Sequence, residues 1–139
     1  MNYATKDDIE DLWGDGFVQS ILPEDVDVDE AIASALDFAS RDVDGYLSAR
    51  YPLPLPTCPV VLKSPTVDIA VYKLANRHVA LTNTIEDRYK YAIRFLERLA
   101  DGKAGLGVDE PRVSSDPTTS SGGAAFSADS RLFTRDSIP

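Results

Sequence analysis

The sequence predicts an all-α protein: a small bundle of about four helices over residues 1–103, followed by a linker and an extended C-terminal docking arm over residues 104–139. Three observations predict it. Apolar residues recur at helical spacing between Val28 and Leu47, between Val67 and His78, and between Ile85 and Ala100. Residues that start, cap or stop helices stand at the ends of those stretches. From Ala104 the period disappears, and turn formers and polar residues take over.

Taken in order, Thr5 can cap a short helix through Trp13, with Asp7 and Asp8 in its positively polarised first turn. Gly14-Asp15-Gly16 ends it, and FVQSIL (17–22) fits either an extended segment or a helical turn. Asp27 with Glu30 reads as a capping box. Val28, Ile32, Ala35, Leu36, Ala39, Val43, Tyr46 and Leu47 then form one face of a helix of about six turns. YPLPLP (51–56) stops it, and its alternating prolines favour an extended strap. Pro59 opens a third helix, which Pro65 interrupts, so a break with Ser64 as a fresh cap is expected. Beyond it, Val67, Val71, Leu74, Ala75 and His78 make an apolar stripe. Asn83 with Glu86 caps the fourth helix, whose stripe runs from Ile85 to Ala100, and Gly102 terminates it. In the arm, Ala124–Phe126 and Leu132–Thr134 fit two short strands of a β-hairpin.

The chain has 139 residues and a net charge of −9, unevenly spread. Residues 1–50 hold 13 acids against 3 bases, whereas residues 51–103 hold 5 acids against 8 bases. A nucleic-acid surface needs an excess of Lys and Arg, so direct binding to nucleic acid is not expected. An acidic end and a basic patch instead suit pairing between copies, or with a charged protein. No apolar run approaches the roughly 20 residues of a membrane helix, and the acidic N-terminus is unlike a signal peptide. One cysteine, Cys58, rules out an internal disulfide.

Catalytic and metal chemistry find little support. Asp25, Asp27 and Asp29 have the spacing of early calcium-loop ligands, but Glu30 stands where the loop needs glycine and Leu36 where it needs a bidentate Glu. One His and one Cys cannot build the usual zinc site. A Cys58–His78 dyad would require folding to bring the two together. No glycine-rich phosphate loop follows a strand. No enzyme activity, cofactor or metal is expected.

Interaction is the better-supported expectation. Lys90, Arg94 and Arg98 share a helix face at i, i+4, i+8. Either Glu86 and Glu97 neutralise them, or they form a docking stripe for an acidic surface on a neighbouring copy. The arm places Phe126, Leu132 and Phe133 beside Arg131, Thr134 and Arg135, an aromatic density that disordered segments lack. Such a segment suits docking on a partner's sheet edge or groove.

Five stretches, in this order, carry a family resemblance: MNYATKDDIEDLWG, SRDVDGYLSARYPLPLP, PVVLKSPTVDIAVYKL, EDRYKYAIRFLERLADGK and SSGGAAFSADSRLFTRDSI. The chain resembles the head–tail connector (adaptor) proteins of Mu-like phages over nearly its whole length. The resemblance implies a virion structural protein, built as a small helical bundle, that assembles from host cytoplasm into the neck of the particle. It implies a ring of identical copies, typically a dodecamer, below the portal protein. The C-terminal segment would dock on the portal and the other face of the ring would receive a downstream neck or tail protein.

Overall fold

A computed structural model of the chain describes residues 1–110, and among them the protein is all-α, with five α-helices and two short 3-10 turns. The arm residues Phe126, Arg131, Leu132, Phe133, Thr134 and Arg135, and the expected hairpin with them, lie outside the described residues.

Helix α1 (Lys6–Trp13) starts on Thr5 through a reciprocal box: Asp8 N–H donates to Thr5 Oγ1 at 3.4 Å, and Thr5 N–H donates to Asp8 Oδ2 at 2.8 Å. Both donors would otherwise be orphaned at a helix start. Gly16, at φ +76, turns the chain directly into α2 (Phe17–Ile21), so FVQSIL is helical. Trp13 stacks on Phe17 across the turn, with ring centroids 4.8 Å apart.

Helix α3 (Val28–Leu47) begins at Asp27, as its sequence predicts. The capping differs in detail: Asp27 Oδ1 accepts from both Asp29 N–H and Glu30 N–H, at 3.1 and 3.3 Å, and Asp29 is drawn into an ion pair with Lys6 at 2.8 Å. The YPLPLP strap is bent rather than continuous, with the Leu53–Pro54 peptide cis and Tyr51 and Leu55 buried.

The expected break at Ser64 does not occur. Val60–Leu62 forms a 3-10 turn on Pro59, and α4 (Lys63–Arg77) runs on from it, with no side-chain cap at Ser64. Pro65 sits in the first helical turn, where its missing N–H has no intrahelical partner to lose. The start of α5 (Asn83–Asp101) also differs by one residue: Thr82, not Asn83, is the cap, and its Oγ1 accepts from Ile85 N–H at 3.3 Å. Thr82 has the extended backbone a cap requires, while Asn83 is already helical. Gly102, at φ +83, closes the helix as predicted.

Helix α4 is the centre of the bundle, packed between α3 and α5 and also touching α1 and α2. Its burial goes beyond the predicted stripe: Thr66, Ile69 and Ala70 are buried as fully as Val67, Val71 and Ala75. A helix apolar on most sides is a helix covered on most sides. It ends in a six-to-one bond from Ala80 N–H to Ala75 O at 2.7 Å, which puts Val79 at the left-handed position, φ +56. A β-branched residue is disfavoured there by about 1–2 kcal/mol, and Val79 is 94% exposed, so packing does not offset that cost. Val79→Gly should therefore raise stability by about 0.5–1 kcal/mol after allowing for the extra freedom glycine gives the unfolded chain, read as a higher urea midpoint.

Candidate interaction surface

Helix α5 turns Ile85, Ala92, Leu96 and Leu99 into the core. The same period turns Lys90, Arg94 and Arg98 outward, and all three are exposed. Among the described residues none of the three lies within ion-pair distance of a carboxylate, Glu86 and Glu97 included. The described ion pairs use Lys6, Arg41, Arg50, Lys63, Lys73 and Arg88 instead. Glu86 and Glu97 therefore form no direct ion pair with the stripe. Like charges in line cost an isolated helix a few tenths of a kcal/mol per pair.

Beside the stripe lies an apolar groove of about 490 Å³. Val61, Pro65 and Asp68 form one wall, Tyr91 and Phe95 the other, and Gly105 and Gly107 close one end. Tyr91 is 64% exposed, and Val60, Val61 and Val108 around the groove are exposed as well. Exposed apolar residues scattered singly need no explanation, but Val61 and Tyr91 face one groove, with Val60 and Val108 next in sequence to residues that line it. The sequence reading missed this groove, because its walls come from segments some thirty residues apart that only the packing of α5 on α4 brings together.

Asp68 sits in this wall at 7% exposure, with Arg88 Nε 3.1 Å from its Oδ1. The Arg88 guanidinium also lies over the Trp13 ring, 4.2 Å from its centroid, so one cluster ties α1, α4 and α5 together. Neither Asp68 Oδ1 nor Trp13 Nε1 makes a well-aligned hydrogen bond. Burial pushes the Asp68 carboxyl above the ordinary carboxylate range, although Arg88 and the Trp13 indole pull it down.

A second cluster holds the stretch after α5 against the bundle. Arg50 Nη1 donates to Leu99 O and Ala104 O, both at 2.9 Å. Tyr51 Oη donates to Glu110 Oε1 at 2.8 Å, and Leu106 N–H donates to the same oxygen at 2.7 Å. Leu106 is fully buried, so the unperiodic stretch after Gly102 keeps a fixed course along the body as far as Glu110. The Leu106 N–H foremost holds the Glu110 carboxyl below its ordinary range; desolvation, the next-largest effect, opposes it, and the Tyr51 hydroxyl and the Arg50 charge add smaller lowering effects. A lowered folded pKa means stability that is present above the unfolded value and lost as pH falls through the folded one. Acidification through the range below the ordinary Glu value should release residues 104–110. The amide of Leu106 should lose hydrogen-exchange protection before the helices do, and Glu110→Gln should show that loss at neutral pH.

The remaining sequence candidates are not assembled. Cys58 precedes α4 and His78 caps its far end, separated by a helix roughly 20 Å long. Cys58 Sγ instead faces Asn2 O and Tyr3 O, at 3.9 and 3.7 Å. His78 lines a cleft of about 430 Å³ with Glu30, Phe38, Lys73 and Arg77, where Lys73 Nζ lies 4.6 Å from the Phe38 ring centroid. Of the three aspartates of DVDVDE, Asp27 caps α3 and Asp29 pairs with Lys6. Among the described residues no helix is long and apolar enough to cross a membrane.

The fold and surface, over residues 1–110, define a small all-α protein with a charged, aromatic face on its last long helix. The chain belongs to the Bacteriophage Mu Gp36 family, which matches residues 3–126. It is 36% identical over 121 residues to gene product J of Escherichia phage Mu, covering 84% of each chain. It is 41% identical over 90 residues to the Mu-like prophage FluMu protein gp36 of Haemophilus influenzae, covering 64% of this chain and 62% of that relative. This is a phage protein of the Mu-like group, the group to which its sequence stretches point.

Proposed function

We propose that the chain is a head–tail connector: a non-enzymatic structural protein of the virion neck that forms an oligomeric ring between the portal and the tail. The observation that carries this reading is the unneutralised stripe of Lys90, Arg94 and Arg98 beside an apolar groove, on a molecule whose first 50 residues are strongly acidic. One surface complements another on the same protein, and such heterologous contacts close into rings when the rotation allows. Membership in a Mu phage family supports the setting. In this reading the segment after Glu110 reaches the portal, with Phe126, Leu132 and Phe133 as apolar anchors and Arg131, Thr134 and Arg135 as polar ones. The opposite face of the ring takes a downstream neck or tail protein.

The test is electron microscopy of the full chain mixed with the cognate portal. A ring of many copies seated on the portal is the expected result. A complex of one copy with one partner would make the chain a monomeric interaction module instead. In the same assay the full-length triple variant Phe126→Ala/Leu132→Ala/Phe133→Ala should form no portal complex while keeping its helical circular dichroism. Retained binding would remove the arm from the proposal.

A further inference from the structure

The charge pattern identifies which surface of a neighbour fits the groove. Helix α1 carries a pair of opposite sign on one face, Asp7 and Asp11 at i, i+4, with Asp15 in the turn that follows the helix. All three are exposed, and among the described residues none is in an ion pair. Asp7 is explained locally by the helix dipole, but Asp11 is not. It lies in the last turn of α1, where an anion is disfavoured and where no basic residue offsets it. Next to it stands Leu12, a large apolar side chain left 40% exposed. Thus α1 holds a like-charged pair beside the exposed Leu12, and α5 a like-charged row beside the groove. Each arrangement costs something within one chain, and each supplies what the other lacks.

We propose that the groove and its cationic edge are a self-docking site: α1 of a second copy lays Leu12 against Tyr91 and Phe95 and sets Asp7 and Asp11 opposite Arg94 and Arg98. The spacing agrees, since both pairs are four residues apart on α-helices and so stand about 6 Å from each other along the axis. The occupant cannot be α1 of the same chain in its described position, because Leu12 does not line the groove. The donor and acceptor surfaces are different, so each copy keeps one of each free to continue an assembly. This inference rests on the connector reading and specifies the contact between adjacent copies.

Sedimentation-velocity ultracentrifugation of the full chain, alone and with the cognate portal, tests it. Self-association should rise with concentration and weaken in 1 M salt, where the Debye length shrinks to about 3 Å. Arg94→Glu/Arg98→Glu should weaken association by at least about 30-fold, because like charges then face each other across the contact. Asp7→Lys/Asp11→Lys should do the same. An equimolar mixture of the two variants should associate again, which a merely misfolded variant would not do. If the Arg94→Glu/Arg98→Glu variant associates like the native chain, or the mixture fails to recover, the α1–groove contact is overturned and the ring reading stands without it. If the native chain stays monomeric at every salt and concentration, with or without portal, both readings fall.

Discussion

Tyr3→Ala is expected to lower the unfolding free energy by about 3–5 kcal/mol, the range for deleting a buried aromatic ring. Tyr3 is 1% exposed although it is the third residue of the sequence. Its backbone N–H donates to Ser40 Oγ at 3.1 Å and its hydroxyl donates to Asp44 Oδ1, so two bonds and a buried ring fasten the N-terminal segment to α3. Removing the ring leaves a cavity under that segment and frees Asp44. A drop of this size is a large fraction of the 5–15 kcal/mol typical of a domain. It should appear as a lower urea midpoint with little change in slope. Burial first, then the bond to Asp44, push the Tyr3 phenol far above its ordinary value. The stability this represents is present below the ordinary tyrosine value, about 10, and is lost as pH rises beyond it. Tyr3→Phe should remove that alkaline dependence while costing only about 1 kcal/mol, the scale of one net hydrogen bond.

The second large effect is at Arg50. Arg50→Ala should cost about 2 kcal/mol, from two charge-assisted bonds to the carbonyls of Leu99 and Ala104 in a partly exposed site. Its pair with Glu110, at 3.8 Å and about one-third exposed on both sides, adds little. The effect should be local as well as global. Leu99 O would keep its bond from Gly102 N–H, but Ala104 O would lose its Arg50 donor and residues 104–110 would lose one anchor. Hydrogen exchange should show protection lost at Leu106 well before α3 or α4 opens. If residues 104–110 stay protected in Arg50→Ala, the burial of Leu106 and the Glu110 bonds to Tyr51 and Leu106 hold them without Arg50.

Much of the local structure was legible from residues near one another in the chain. The cap at Thr5, the start of α3 at Asp27 and the stop at Gly102 depend on side chains within about three residues of the backbone they satisfy. The outward stripe of Lys90, Arg94 and Arg98 follows from the helical period alone. The start of α4 was misread because Pro65 has two meanings, a helix break or a first-turn residue. The choice depends on Leu62, which is fully buried beneath the 3-10 turn and carries the chain straight into the helix. FVQSIL was undecidable because six residues hold too little periodicity, and its helix forms where Trp13 and α4 give it something to pack on.

By itself the sequence determined the all-α class, the order and approximate ends of the long helices, the opposed charge of the two halves, and the resemblance to a phage family. Each of these is carried by composition or by short-range spacing. Only the tertiary structure decided that α4 is enclosed on most sides, that Tyr3 and Tyr51 are clamped to distant carboxylates, and that Val61 meets Tyr91 and Phe95 across a groove. Those contacts join residues tens of positions apart. Their energy comes from apolar surface removed from water and polar groups satisfied across that distance, which no local pattern records.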